Sequence, residues 1–457
     1  MTMLSRSEAE ALLKKVLSFS KADEMAATLN GGRTANTRFG VNSANTNGDT
    51  DNITLAVNAH FGQRGGVATT NTLDEAGLER VVRAAEEIAK LRPEDPEQMP
   101  FLEKQTYQEI KDGFDEATYN ADAKMRADGI SKTIEPAKAK GLIAAGIFDN
   151  QGGFTAQANT RGNFGYTIGS QASYTTTVRT ADGQGSGWAS AMSHRLRDIE
   201  AGAVGARAIE KAEKSQNPVA IEPGKYTVIL EPNAVGDLVS NMMFFFGARQ
   251  ADEGRSFLSK RADPKVPGSK GGNMLGEKLF GEEINVYTDP NYPGAPGAPF
   301  DGAGLPSRRM DFIKNGVVTN LNYSRFWAKK QGKEPTPFPT NLIIMEGGKS
   351  SIDDMIASTE RGILVTRLWY IRLVDPQSVL YTGLTRDGTF LIEKGRIKSA
   401  IKNFRFNETP VKMLNNVEAM SPLQRITGSE RVGDGFPVLA PAIKVREFEF
   451  TSLSDAI

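Results

Sequence analysis

The sequence predicts an α+β protein: an N-terminal α/β domain with antiparallel strands and long helices, then a strand-rich C-terminal domain. Three observations predict it. At 457 residues the chain is long for one core, given roughly 150 residues per domain. Periodicities come in blocks (helix, strands, helix, helix, strands, helix) rather than as βαβ alternation. Beyond about residue 220, short β-rich segments with turn punctuation dominate. The expected division is 1–215 and 220–457, with a linker near 92–102.

Residues 5–19 read as a helix, because Leu12, Leu13, Val16 and Leu17 share a face and Ser5 or Ser7 offers a cap. Strand-like pieces broken by Gly and Asn follow, with hairpin turns expected at Asn47-Gly48 and Gly65-Gly66. Residues 73–91 form a strong amphipathic pattern through Leu78, Val81, Val82, Ala85, Ile88 and Leu91. The string RPEDPEQMP at 92–100 is a linker by composition, since Pro stops helix and ladder alike. Helix is expected at 115–139, strands at 141–193 and helix at 197–215. The strand 225–230 then runs into a helix at 232–248. Gly- and Pro-rich loops at 260–305 surround the strand EEINVYTD, and short strands follow, interrupted by a helix near 351–361. No internal repeat of fixed period is visible.

Hydrophobic residues are 39% and charged residues 24%, ordinary for a soluble globular protein. Lys+Arg and Asp+Glu are 55 each, so no net field draws the chain to nucleic acid or anionic membrane. Near-zero net charge favours association over self-repulsion. The absence of cysteine excludes disulfides, thiolate zinc sites and cysteine nucleophiles. The segment MTMLSRSEAEALLKKVLSF lacks a signal-peptide core, and no run approaches the roughly 20 apolar residues of a membrane span. The expectation is a cytoplasmic protein without nucleic-acid or membrane partners.

Catalytic motifs are sparse. His60 and His194 lie far apart, without an H-E-x-x-H neighbourhood, and read as structural imidazoles, each satisfied by one donor and one acceptor. The acidic stretch Asn47–Asp51 is the best local candidate for a carboxylate cation site, but reads first as a hairpin tip. Ser18 and Lys21 have S-x-x-K spacing without the rest of that constellation. Gly348-Lys349-Ser350 lacks the earlier glycine of a phosphate loop, and Gly183, Gly185 and Gly187 read as a turn. Phe244, Phe245 and Phe246 suit core packing or a peptide pocket. Arg367, Arg372, Arg386 and Asp387 sit among buried-looking strands, where they either line a peptide cavity or pair at turns.

Several segments in order resemble the TldD/PmbA family: PGKYTVILEPNA at Pro223–Ala234, then Asp301, Gly304, Pro306, Arg308 and Arg309, and the run from Gly362 through Thr385-Arg386-Asp387-Gly388 to Ile397. The resemblance implies a C-terminal domain of TldD/PmbA type. In zinc-bearing members the helix after the first strand of that domain carries H-E-x-x-x-H, completed by a distant cysteine. Here the two histidine positions fall on Val239 and Phe244, whose side chains have no lone pair for zinc. The resemblance therefore implies a metal-free sister of TldE/PmbA type, with no catalytic residue, metal ligand or cofactor carried over onto this chain. Zinc is expected on a TldD-type metallopeptidase partner, in a dimer whose chamber degrades or trims unfolded peptides. Two alternatives stand beside it: a homodimeric peptide-binding module without catalysis, and a hydrolase using carboxylates such as Asp252, Glu253 or Asp387.

Overall fold

The computed structural model describes residues 3–262, 265, 271–428 and 437–454. Helix α1 (Arg6–Ser18) begins with a capping box: Ser5 Oγ accepts from the Glu8 N–H, and Glu8 accepts from the Ser5 N–H. It leads into a six-stranded antiparallel sheet containing β1 (Glu24–Gly40), β2 (Ser43–Phe61), β3 (Arg64–Thr70), β4 (Ile143–Asn159), β5 (Phe164–Arg179) and β6 (Ser186–Ser193). The spatial order is β3-β2-β1-β4-β5-β6.

The hairpin turns do not fall where the glycine pairs predicted. Val41 and Asn42, both at positive φ, turn β1 into β2, and Gly62-Gln63 turns β2 into β3. Asn47-Gly48 lies within β2, where Asn47 pairs with Thr37 and accepts from Arg126. The Asn47–Asp51 stretch is therefore not a hairpin tip, and its Asp49 pairs with Arg33. Gly65-Gly66 lies within β3 because α2 (Glu75–Leu91) presses on it: a Cβ at Gly66 would meet the backbone of Ala85 and Ala89. That approach turns Ala85 and Ala89 inward and leaves Ile88 and Leu91 exposed, contrary to the predicted face.

The helix expected at 115–139 is split into α3 (Glu116–Tyr119) and α4 (Ala123–Ala139). Arg126 explains the break. It is wholly buried, and its guanidinium donates to Ala121 O in the gap, as well as to Asn150, Thr37 and Asn47. Helices α1, α2, α4 and α5 (Ala201–Lys214) all cover one face of the sheet. Gly183 serves the β5–β6 turn at positive φ, whereas Gly187 lets α5 approach β6. Residues 93–114 carry no regular element but stay bound, with Tyr107 Oη donating to Gly304 O and Gln108 to Ser307 O.

The strand-rich half holds a nine-stranded and a six-stranded sheet. In the larger, β7 (Gly224–Leu230) lies between the antiparallel strand Ile443–Leu453 and the parallel strand Arg361–Val365. Helix α6 (Pro232–Met243) follows β7 and buries Ala234, Val235, Leu238, Val239 and Met242 in the largest apolar core. It stops short of the expected end, and α7 (Ala248–Asp252) follows. The aromatic triplet between them is divided: Phe246 is buried edge-on against Phe257 and Phe312, Phe245 is partly buried, and Phe244 is 56% exposed. The smaller sheet ends in the strand Gln424–Ile426, which faces the antiparallel sheet of the N-terminal half.

Candidate functional site

The face of the N-terminal sheet opposite its helices is built by alternation. In β1 the odd positions Met25, Ala27 and Leu29 enter the core, so Thr28, Asn30, Gly32 and Thr34 project the other way. Pairing register lines these up across four strands. One row reads Thr50, Thr34, Gln151, Gln171; the next Asn52, Gly32, Gly153, Gly169; the next Thr54, Asn30, Thr155, Thr167. The face is thus polar and uncharged along these rows, with a glycine trench across its middle. At Gly32 and Gly153 a Cβ would run into the carbonyls of Gly152 and Gly31, so the sheet's close packing requires bare backbone there.

Two hollows lie on this face. One, about 530 Å³, spans the trench and is closed by Gly297 and Arg425 from the strand-rich half. The other, about 430 Å³, holds His60 and Gln98. His60 has a donor partner: Gln98 Nε2 lies 3.1 Å from its Nε2, and the ring stacks on Phe101 at 4.1 Å.

His194, at the end of β6, differs. It is only 4% exposed and lines the first hollow, yet among the described residues neither ring nitrogen has a hydrogen-bond partner. The expectation of an imidazole satisfied at both nitrogens fails there. Burial lowers its pKa, and the neighbouring Arg425 charge adds to this, so the ring is neutral near pH 7. Gln171 Nε2 and Arg425 Nε in the same hollow are also buried and, among the described residues, without a hydrogen-bond partner. Arg425 Nη2 donates to Gln171 Oε1 at 3.1 Å, and Nη1 to Gly294 O at 3.4 Å. Burial pulls the guanidinium down to about 10, still cationic at neutral pH. None of this rim cluster except His194 was singled out from sequence. The repeated Thr/Asn/Gln/Gly alternation in β1 and β4 was the available signal.

The four arginine and aspartate candidates are divided. Arg367, Arg386 and Asp387 meet at the seam between the halves. Arg367 Nη1 donates to Asp387 Oδ2 at 2.6 Å, and Ser186 of β6 donates to Asp387 Oδ1 at 2.6 Å. Arg386 Nε lies 3.8 Å from Asp387 Oδ2. The Arg367 guanidinium sits 4.5 Å from the Trp188 ring and 4.7 Å from the Trp369 ring. Asp387 also borders a cavity of about 350 Å³. Arg372 stands apart on the strand Leu368–Asp375, stacked on the exposed Tyr370.

The two positions at which the resemblance would place zinc-binding histidines hold no zinc donor. Val239 is in the core and Phe244 in solvent, the chain has no cysteine, and its two histidines occupy different hollows. Among the described residues, no three or more His, Cys, Asp or Glu are grouped to hold a metal ion. Of the three carboxylates of the hydrolase alternative, Asp252 and Glu253 border one hollow of about 350 Å³ and Asp387 lies at another. Asp252 accepts from Asn273 and Trp327, Glu253 pairs with Arg249 and Arg255, and Asp387 lies at the seam. Among the described residues no helix is long and apolar enough to cross a membrane.

Residues 223–452, half of the chain, match the PmbA/TldA metallopeptidase C-terminal domain, and the chain belongs to the PmbA/TldD family. The whole fold is similar to TldE from Thermococcus kodakarensis, with a TM-score of 0.84 at 20% identity over 97% of this chain and 99% of that one. An uncharacterized protein of Methanocaldococcus jannaschii is 31% identical over 35% of this chain and 38% of its own length. A Methanothermobacter thermautotrophicus protein named as a metalloprotease is 25% identical over 52% of this chain and 50% of its own. The chain thus spans half or less of the length of these curated relatives.

Proposed function

We propose that this chain is a metal-free, TldE/PmbA-like subunit that helps wall the peptide chamber of a TldD-type peptidase complex, with zinc carried by the partner. The observation that carries this reading is the glycine-trenched face, which is uncharged along its central rows. Extended peptides of mixed sequence share only their backbone, and Thr, Asn and Gln side chains offer it donors and acceptors without selecting charge. Bare glycine lets a ligand backbone approach closely. The similarity to TldE and the lack of a grouped metal-ligand set among the described residues support assigning chemistry to a partner.

Mixing the purified chain with a TldD-type subunit from the same source tests the proposal. Chelator-sensitive hydrolysis of an unfolded peptide should appear with the mixture and be absent with this chain alone. Chelator-sensitive hydrolysis by the lone chain, rigorously freed of partner, would overturn the reading.

A further inference from the structure

We infer that the cluster of Arg425, His194 and Gln171 is a carboxylate pocket that anchors the free C-terminus of a peptide lying on the open face. The inference deepens the chamber reading and rests on it. Buried N–H donors without acceptors are costly, and three that have none among the described residues collect in one hollow: Gln171 Nε2, Arg425 Nε and a ring N–H of His194. His194 and Gln171 are 4% and 8% exposed, so bulk water does not satisfy them freely. The bond from Arg425 to Gln171 Oε1 fixes the amide so that its NH₂ is left as a donor.

Three donors and one positive charge complement a carboxylate, whose two oxygens only accept. The guanidinium disfavours a metal cation at the same place. The hydrogen bonds of Arg425 go to Gln171 and a carbonyl; Asp198 acts on its charge, but among the described residues no carboxylate pairs with it directly. Gln171 stands one row from the glycine trench, so a chain leaving the pocket runs onto bare backbone. A free inorganic anion shares the charge chemistry but would leave most of the 530 Å³ hollow unused.

The test uses the full chain and a labelled, unstructured short peptide in two forms, free acid and C-terminal amide. Fluorescence anisotropy should give about tenfold tighter binding of the acid, the worth of one charge-assisted interaction. Arg425→Gln should erase that preference. The acid–amide comparison on the unaltered protein stands even where the variant misfolds. Equal affinities would overturn the carboxylate pocket while leaving the chamber reading intact. No binding of either peptide would overturn the pocket, while the mixing experiment above decides the chamber reading separately. Displacement of the acid by inorganic phosphate at sub-millimolar concentration would assign the pocket to a free anion and overturn the peptide terminus.

Discussion

Arg367 and Arg425 both bring a cation to the seam between the two halves, and their surroundings are opposite. Arg367 meets the Asp387 carboxylate and two indole rings, and Asp387 in turn receives Ser186 from the other half. Arg425 meets an amide and a carbonyl, beside an imidazole that has no hydrogen-bond partner among the described residues. A cation with its own carboxylate is a fastening. A cation surrounded by unmade donors is a place for something that accepts. Charge and burial alone do not separate the two; partner chemistry does.

The comparison can be broken at the fastening first. Asp387→Ala leaves a buried guanidinium uncompensated and should cost about 3–5 kcal/mol in urea unfolding at pH 7. A loss below about 1 kcal/mol would mean that Arg367 and Asp387 fasten nothing.

A third polar site on the open face sharpens the contrast. Burial pushes the Asp149 carboxyl up from its ordinary 3.8 to about 6, against the bond it accepts from Ser173. The folded chain therefore holds this proton more tightly than the unfolded chain. Nothing is lost below the ordinary value, the penalty grows through the window up to about 6, and it is complete above. Asp149→Asn should match the parent in acid and exceed its stability at pH 8 by about 2–3 kcal/mol. An equal gain at both ends of the pH range would contradict the assignment.

Gly153→Ala probes the trench. Its methyl would meet the Gly31 carbonyl, so thermal unfolding should register a loss of about 1–3 kcal/mol. Arg425→Gln has the smallest expected effect on stability. It orphans no carboxylate and relieves a partly buried charge, so the melting temperature should stay level or rise. A marked fall would move Arg425 into the same class as Arg367.

Much of the fold was legible from periodicity. The capped first helix, the amphipathic 73–91 segment and the β-rich 141–193 block stand close to where hydrophobic spacing placed them. The glycine pairs were misread for a physical reason. A glycine that admits a neighbouring backbone leaves the same local mark as one that turns the chain, and Gly66 is of the first kind. Helix 115–139 split because Arg126 takes a carbonyl in the gap, a contact that local propensity does not encode. The candidate site was less legible. Gln171 and Arg425 meet only after two sheets are assembled and faced. Asp387 stood out beside its arginines, but Ser186, which ties it to the other half, carries no motif.

The central claim is that this chain walls a chamber whose metal chemistry belongs to another subunit. Native mass spectrometry of the protein taken from its own host without chelator tests it most directly. The account predicts a heterodimer of this 49.5 kDa chain with a second, different chain, carrying one zinc. A homodimer of this chain alone with bound metal would contradict it.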